Sequence, residues 1–135
     1  MMRDVDVAFI TRADGAVLLQ LRRADRALFP LTWECPGGKR EDGESAVVCV
    51  LRELWEELRI NPREAVVRGP VFSREFEDFS CRVNFHEVGL LPSLPHDTLL
   101  LKDALAVGWF APAALPHLIL TPGNKAFFQH LGWCP

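Results

Sequence analysis

The chain has 135 residues, 49% hydrophobic and 24% charged, which suits a single globular domain spanning residues 1–135 with a core of its own. Eighteen acidic against fifteen basic residues give a net charge of −3, and without any basic tract this argues against duplex nucleic acid as a partner. No apolar run approaches the roughly 18 residues of a membrane span, and the opening MMRDVDVAFI carries aspartates where a signal peptide needs an apolar core.

In chain order, Val5 to Arg12 alternates, with Val5, Val7 and Phe9 on one side. Ala13-Asp14-Gly15 supplies a turn and Ala16 to Arg23 resumes as a strand, so residues 5–23 read as a β-hairpin. The unbroken Val17-Leu18-Leu19 predicts a strand covered on both faces. Asp25 to Leu31 reads as a loop bearing apolar groups, and Thr32 to Cys35 as a short strand ended by Pro36-Gly37-Gly38. Two glycines there suit either an ordinary turn or a close backbone approach to a ligand.

Gly43 to Arg59 is the clearest helix. Ser45 suits the N-cap and Glu44 the positive end of the dipole. Val47, Val50, Leu51, Leu54 and Leu58 recur at three- and four-residue steps and predict the buried stripe, which Asn61-Pro62 brings to a stop.

Ala65 to Phe76 and Phe79 to Leu91 predict a strand pair turning at Glu77-Asp78. Phe79, Cys81, Val83 and Phe85 share one face while Val88 and Leu90 fall on the other, a phase change that predicts a β-bulge near His86-Glu87. Pro92 to Asp103 reads as a loop, Val107 to Phe110 as a short strand, Ala111-Pro112 as the start of a small helix, and Lys125 to Leu131 as a C-terminal helix. This order predicts an α+β fold, an α/β sandwich.

Cys35, Cys49, Cys81 and Cys134 form no C-x-x-C pair and read as buried reduced thiols, which points to a cytoplasmic protein without a zinc knuckle or disulfide framework. His86, His96, His117 and His130 form no H-x-x-x-H pattern and read as surface or satisfied side chains.

Gly38 to Ile60 holds six of the eighteen acidic residues: Glu41, Asp42, Glu44, Glu53, Glu56 and Glu57. Glu53, Glu56 and Glu57 fall at i, i+3 and i+4, so on a helix they share a face where like charges repel by roughly a few tenths of a kcal/mol per pair. A divalent cation between the carboxylates would turn that repulsion into ligation.

The same stretch resembles the Nudix box, G-x5-E-x7-R-E-U-x-E-E-x-G-U with U aliphatic. It runs Gly38, Glu44, Arg52-Glu53-Leu54, Glu56-Glu57, Arg59, Ile60, and departs from the pattern only at Arg59, where the box has glycine. Upstream, Trp33-Glu34-Cys35-Pro36-Gly37-Gly38-Lys39 resembles the W-E-x-P-G-G-K entry of MutT-type nucleotide hydrolases. The resemblance implies a mixed β-sheet flanked by helices, with a catalytic loop–helix–loop. It implies hydrolysis of a nucleoside diphosphate linked to another group, usually with Mg2+ and sometimes Mn2+.

By the same resemblance Glu53, Glu56 and Glu57 would be metal ligands, joined by a carbonyl of Gly37 or Gly38. Glu53 would also be a candidate base, and Arg52 would hold a catalytic glutamate. Arg22, Arg23 and Lys39 are candidate phosphate contacts, with ordinary solvated cations as the alternative. MutT-type enzymes often add an acidic residue from a later loop. Ala104 to Trp109 offers none, which leaves Asp103 or Glu41 to substitute, or fewer protein ligands. Should Arg59 adopt a left-handed conformation, its side chain would cost roughly 1 kcal/mol.

For the substrate, Thr121-Pro122-Gly123-Asn124 resembles the MutT region whose asparagine reads an oxidised guanine, and Phe76 and Phe79 are candidates for stacking on a base. The chain lacks tyrosine and so lacks the tyrosine marker of dinucleoside-polyphosphate hydrolases. The expected substrate is a nucleoside triphosphate, with an oxidised purine dNTP as one form. The alternatives are a nucleotide sugar or similar diphosphate, or a non-catalytic nucleotide sensor. The sequence leaves open whether the protein is a monomer or a homodimer.

Overall fold

The computed structural model describes residues 2–91 and 104–135. The expected loop Pro92 to Asp103, with His96 and the candidate ligand Asp103, lies outside the described residues. The elements are β1 (Arg3–Ile10), β2 (Val17–Arg22), β3 (Trp33–Glu34), β4 (Gly37–Lys39), α1 (Ala46–Leu58), β5 (Ala65–Phe76), β6 (Cys81–Leu90), β7 (Ala104–Phe110) and α2 (Pro122–His130). One sheet has the order β4-β1-β6-β5, with β1 parallel to β6 and its other pairs antiparallel. The other is antiparallel with the order β3-β2-β7.

The expected hairpin over residues 5–23 does not form. The chain does turn at Ala13-Asp14-Gly15, where the Asp14 carboxylate accepts the Ala16 N–H at 2.9 Å. Beyond the bridge between Thr11 and Val17, however, the two strands enter different sheets. A strand has two hydrogen-bonding edges, and both edges of β1 are taken by β4 and β6. β2 is left to pair with β3 and β7.

Both faces of this layer are covered, as expected for Val17, Leu18 and Leu19, which are fully buried. On one side Val7, Val17, Leu19, Phe85, Phe127 and Phe128 form a core that includes α2. On the other, Ala8, Ile10, Leu18 and Val88 meet Val50, Leu54 and Leu58 of α1. That two-sided burial explains the phase change in β6. Phe85 serves one core and Val88 the other, and β6 keeps an unbroken register with β1 from Cys81 to Val88. The irregularities do fall at His86 and Glu87, as expected, but in the ladder with β5 and with the extra residues on β5, between Val67 and Gly69 and between Pro70 and Phe72. An edge strand tolerates them, and Pro70 could not donate to a ladder in any case.

Ser45 caps α1 by accepting the Val48 N–H at 3.2 Å. Val47, expected in the buried stripe, is 47% exposed, and Cys49 takes the inward position. The strand under this end of the helix is β4, which Cys49 meets by donating from Sγ to the Gly38 carbonyl at 3.6 Å. The thiol expectation holds for the buried Cys35 and Cys49, while Cys81 and Cys134 are partly exposed. Helix α2 begins at Pro122, three residues before its expected start.

Arg59 adopts the left-handed conformation, with φ 56° and ψ 32°. It thereby closes α1 as a glycine would, with Arg59 N donating to Trp55 O at 3.0 Å and Ile60 N to Leu54 O at 3.2 Å. The guanidinium lies 5.0 Å from the centre of the Trp55 ring, a cation–π contact that offsets part of the conformational cost.

Candidate functional site

Where β1 and β2 part, the two sheets leave a cavity of about 760 Å³ between them. One wall is the face of β1 and β6 that carries Val5, Val7 and Val83, and the other comes from Gln20, Arg22 and Glu34 of β2 and β3. The start of α2 and the glycines of β4 complete it.

The glycines are required by contact. A Cβ on Gly37 would lie 2.3 Å from the Asp6 carbonyl oxygen and 2.5 Å from Val7 Cα, both backbone atoms of the paired strand β1. A Cβ on Gly38 would lie 2.5 Å from Glu53 Oε1. The strand therefore passes directly under the carboxylates of α1, and Glu53 occupies the space a side chain would fill.

Arg52 organises these carboxylates. Its Nε and Nη2 donate to the two oxygens of Glu44 at 2.6 and 2.8 Å, and its Nη1 to Glu53 at 2.9 Å and to Glu56 at 3.2 Å. Nη2 also reaches the Lys39 carbonyl at 3.1 Å, tying α1 to β4. The guanidinium, with the Glu41 N–H as a second donor, pulls the Glu44 carboxyl down to about 2. Glu44 thus braces both the loop and the arginine.

Glu57 is held differently. It accepts the Gly37 N–H at 3.1 Å and the Gln20 Nε2–H at 2.5 Å. Burial, reinforced by the neighbouring Glu53, pushes its carboxyl well above the ordinary range despite the Gln20 bond. Among the described residues Glu57 has no cationic partner. Behind β4, the fully buried Asp6 binds Arg40 through both oxygens at 2.7 and 2.9 Å and lies 3.0 Å from His86 Nε2. Burial alone would raise the Asp6 carboxyl, but Arg40, His86 and Asn84 together hold it far below its usual value.

The expected site residues thus fall into distinct places. Gly37, Gly38, Lys39, Arg52, Glu53, Glu56 and Glu57 meet in the cavity, as does Glu41. Phe76 and Phe79 line it with Phe29, which lies edge-on to Phe79 at 5.1 Å between ring centres. Arg22 lines it too, but donates to both oxygens of Glu34 at 3.1 Å. Arg23 is not among the lining residues; it is exposed and paired with Asp25 at 3.1 Å. Asn124 is a buried lining residue whose Oδ1 accepts the Cys35 N–H at 2.9 Å and whose Nδ2 donates to Thr121 at 2.7 Å.

Sequence reasoning overlooked Gln20, Glu34 and Phe29 as lining residues. Gln20 carried a readable signal, as the single polar side chain within Val17–Leu21, a run otherwise covered on both faces. Glu34 carried one as the glutamate of the W-E-x-P-G-G-K resemblance, whereas Phe29 carried none beyond its place in an apolar loop.

Among the described residues no three carboxylate, imidazole or thiol groups already converge as a ligand sphere. The donor chemistry nonetheless suits a hard divalent cation. The donors are all oxygens, two of the carboxylates crowd one another, and Glu57 is half-buried with no cationic partner among the described residues.

The sequence profile of the NUDIX domain matches residues 1–131. The chain is 35% identical over 118 residues to the CTP pyrophosphohydrolase of Escherichia coli (strain K12), covering 87% of this chain and 83% of that one. It is 41% identical over 59 residues to a MutT-like protein of Streptomyces ambofaciens, covering 44% and 36%. Among solved structures, the E. coli ORF135 protein superposes with a TM-score of 0.75 at 31% identity, covering 97% of this chain and 89% of that one. The MutT protein from Methanosarcina mazei Go1 gives a TM-score of 0.79 at 22% identity, covering 97% and 93%, a likeness of fold.

Proposed function

The chain belongs to the Nudix hydrolase family, and from that premise we propose that it hydrolyses a nucleoside triphosphate to the monophosphate and pyrophosphate. The observation that carries this reading is the placement of Glu53 and Glu57 against Gly37 and Gly38, in a cavity that Phe29, Phe76 and Phe79 also line. Along β1, Val7 pairs with Gly37 and Arg3 pairs with Cys81 beside the aromatic turn, so the acidic and aromatic regions stand roughly 13 Å apart along the strand.

Members of the family generally need a divalent metal ion. Here Mg2+, or Mn2+ in its place, would be held by Glu53, Glu56 and Glu57 with a Gly37 or Gly38 carbonyl. It would supply neutralising charge on the phosphates and a lowered pKa for a bound water. Arg52 keeps the Glu53 carboxylate facing the cavity. Glu53 accepts a proton from the attacking water as its oxygen bonds to phosphorus and the anhydride P–O bond breaks, releasing pyrophosphate. Lys39 receives phosphate charge, a role Arg22 shares only by loosening its bond to Glu34. Phe76 and Phe79 stack on the base, and Asn124 retains one N–H for it.

CTP, named in the E. coli relative, joins the oxidised purine dNTPs as a candidate to be tested. The test is Mg2+-dependent hydrolysis of CTP, dCTP, an oxidised purine dNTP and a nucleotide sugar, with Glu53→Gln and Glu57→Gln as controls. A chelator should abolish turnover, and each substitution should lower kcat at least tenfold. Losses under tenfold in both variants would refute the site, and tight binding without turnover of any nucleotide would refute the reaction.

A further inference from the structure

Gln20 is 5% exposed, and its amide oxygen is unfilled among the described residues. It sits in β2, paired with Glu34 of β3 and Val107 of β7, and lines the cavity. Its Nε2 donates to Glu57 Oε2 at 2.5 Å, whereas its Oε1 is buried with no hydrogen-bond partner among the described residues. Ionised, as a divalent cation would hold it, Glu57 only accepts, so its bond to Gln20 then requires the amino group there and turns Oε1 elsewhere. The carboxylates of Glu34 and Glu57 have no donor for it when ionised, and the Arg22 guanidinium is engaged by Glu34 and the Leu28 carbonyl. Buried carbonyl oxygens are rarely left unpaired.

We propose that Gln20 Oε1 accepts a hydrogen bond from a hydroxyl group in the cavity, supplied either by the attacking water or by the sugar of the nucleotide, while its amino group steadies Glu57. Phosphate oxygens cannot fill this position, because they bring no donor. A cation shared with Glu57 Oε2 suits it poorly, because a Gln20 N–H already points at that oxygen.

The inference rests on the proposed hydrolysis and is tested separately from it. Gln20→Met keeps the side-chain length and removes both polar ends. It is compared with wild type on the ribo-, 2′-deoxy- and 2′,3′-dideoxynucleoside triphosphates of one base. If the donor is the attacking water, kcat falls at least tenfold on all three and KM stays within about twofold. If it is a sugar hydroxyl, wild type favours the nucleotides that carry it, and Gln20→Met erases that preference mainly through KM. Values within twofold of wild type for all three substrates would overturn the proposal. So would a tenfold weaker Mn2+ affinity by electron paramagnetic resonance, because the loss would then act through the metal site and not through a hydroxyl on Oε1. Should Gln20→Met fail to fold, Gln20→Asn, which withdraws the amide by one methylene, is judged by the same criteria. Absence of turnover in wild type would count against the hydrolysis alone. Calorimetric binding of non-hydrolysable analogues of the three nucleotides then decides, and equal affinities in wild type and variant would overturn the role of Gln20.

Discussion

Replacing each of the two adjacent glycines by alanine should damage different properties. At Gly37 the added Cβ would meet backbone, 2.3 Å from Asp6 O and 2.5 Å from Val7 Cα. Cβ contacts under about 3 Å do not persist, so β4 must move away from β1 by most of an ångström, against the ladder that pairs Val7 with Gly37. Overpacking of this kind costs about 3 kcal/mol. For a domain of this size that lowers Tm by roughly 10 °C. At Gly38 the obstacle is the end of the Glu53 side chain, 2.5 Å away, and a carboxylate can swing aside. Gly38→Ala should therefore cost about 1 kcal/mol or less in stability, yet lower kcat tenfold or more because Glu53 leaves its position. Urea unfolding followed by tryptophan fluorescence measures the first effect, and nucleotide hydrolysis the second. Equal destabilisation of the two variants, or a Gly38→Ala enzyme of wild-type activity, would refute the assignment of one contact to folding and the other to the site.

Three further outcomes follow from the geometry. Arg59→Gly removes a left-handed strain of about 1 kcal/mol but also the exposed contact with Trp55, whereas Arg59→Ala keeps the strain and loses the contact. Glycine should thus give the higher Tm of the two, and the reverse order would show that the strain is not felt. Asp6 has its carboxyl depressed in the folded state, so its contribution is present above the unfolded value and is lost as pH falls through the folded one. Asp6→Asn should cost about 3 kcal/mol at pH 7, toward the low end for a buried pair because the Arg40 side chain is 28% exposed and can turn to solvent. Its unfolding free energy should fall less steeply below pH 4 than that of wild type, and parallel acid titrations would contradict this. Phe79→Ala removes a stacking surface of about 1–2 kcal/mol, so KM should rise roughly tenfold with kcat within about threefold in steady-state assays.

How much of this was legible beforehand depends on the distance over which each feature is encoded. The helix, its Ser45 cap and its acidic face are local, written at spacings of three and four residues, and the structure keeps them. Val47 shows the limit of such periodicity, which finds the apolar residues of a helix but not how far its first turn is covered. The phase change in β6 predicted a bulge at His86-Glu87, and the ladder does shift there, but alternation along one strand cannot reveal that the extra residues sit on β5 or that both faces of β6 are buried by different partners.

By itself, then, the sequence determined that a glycine-rich strand leads into an acidic helix with an arginine among its glutamates, and that the turn ending the helix carries an arginine where the box has glycine. These are consequences of backbone dihedral preference and helical period, which act within a few residues. The tertiary structure alone decided that β1 lies between β4 and β6 rather than against β2. It also brought Asp6 to His86, Cys35 to Asn124 and Gln20 to Glu57. Strand edges pair through peptide groups that every residue but proline shares, so side-chain pattern cannot name the partner. Contacts across tens of residues appear only once the sheets are assembled. The Gln20–Glu57 bond, which holds one of the family's glutamates from a strand outside the box, is of that kind.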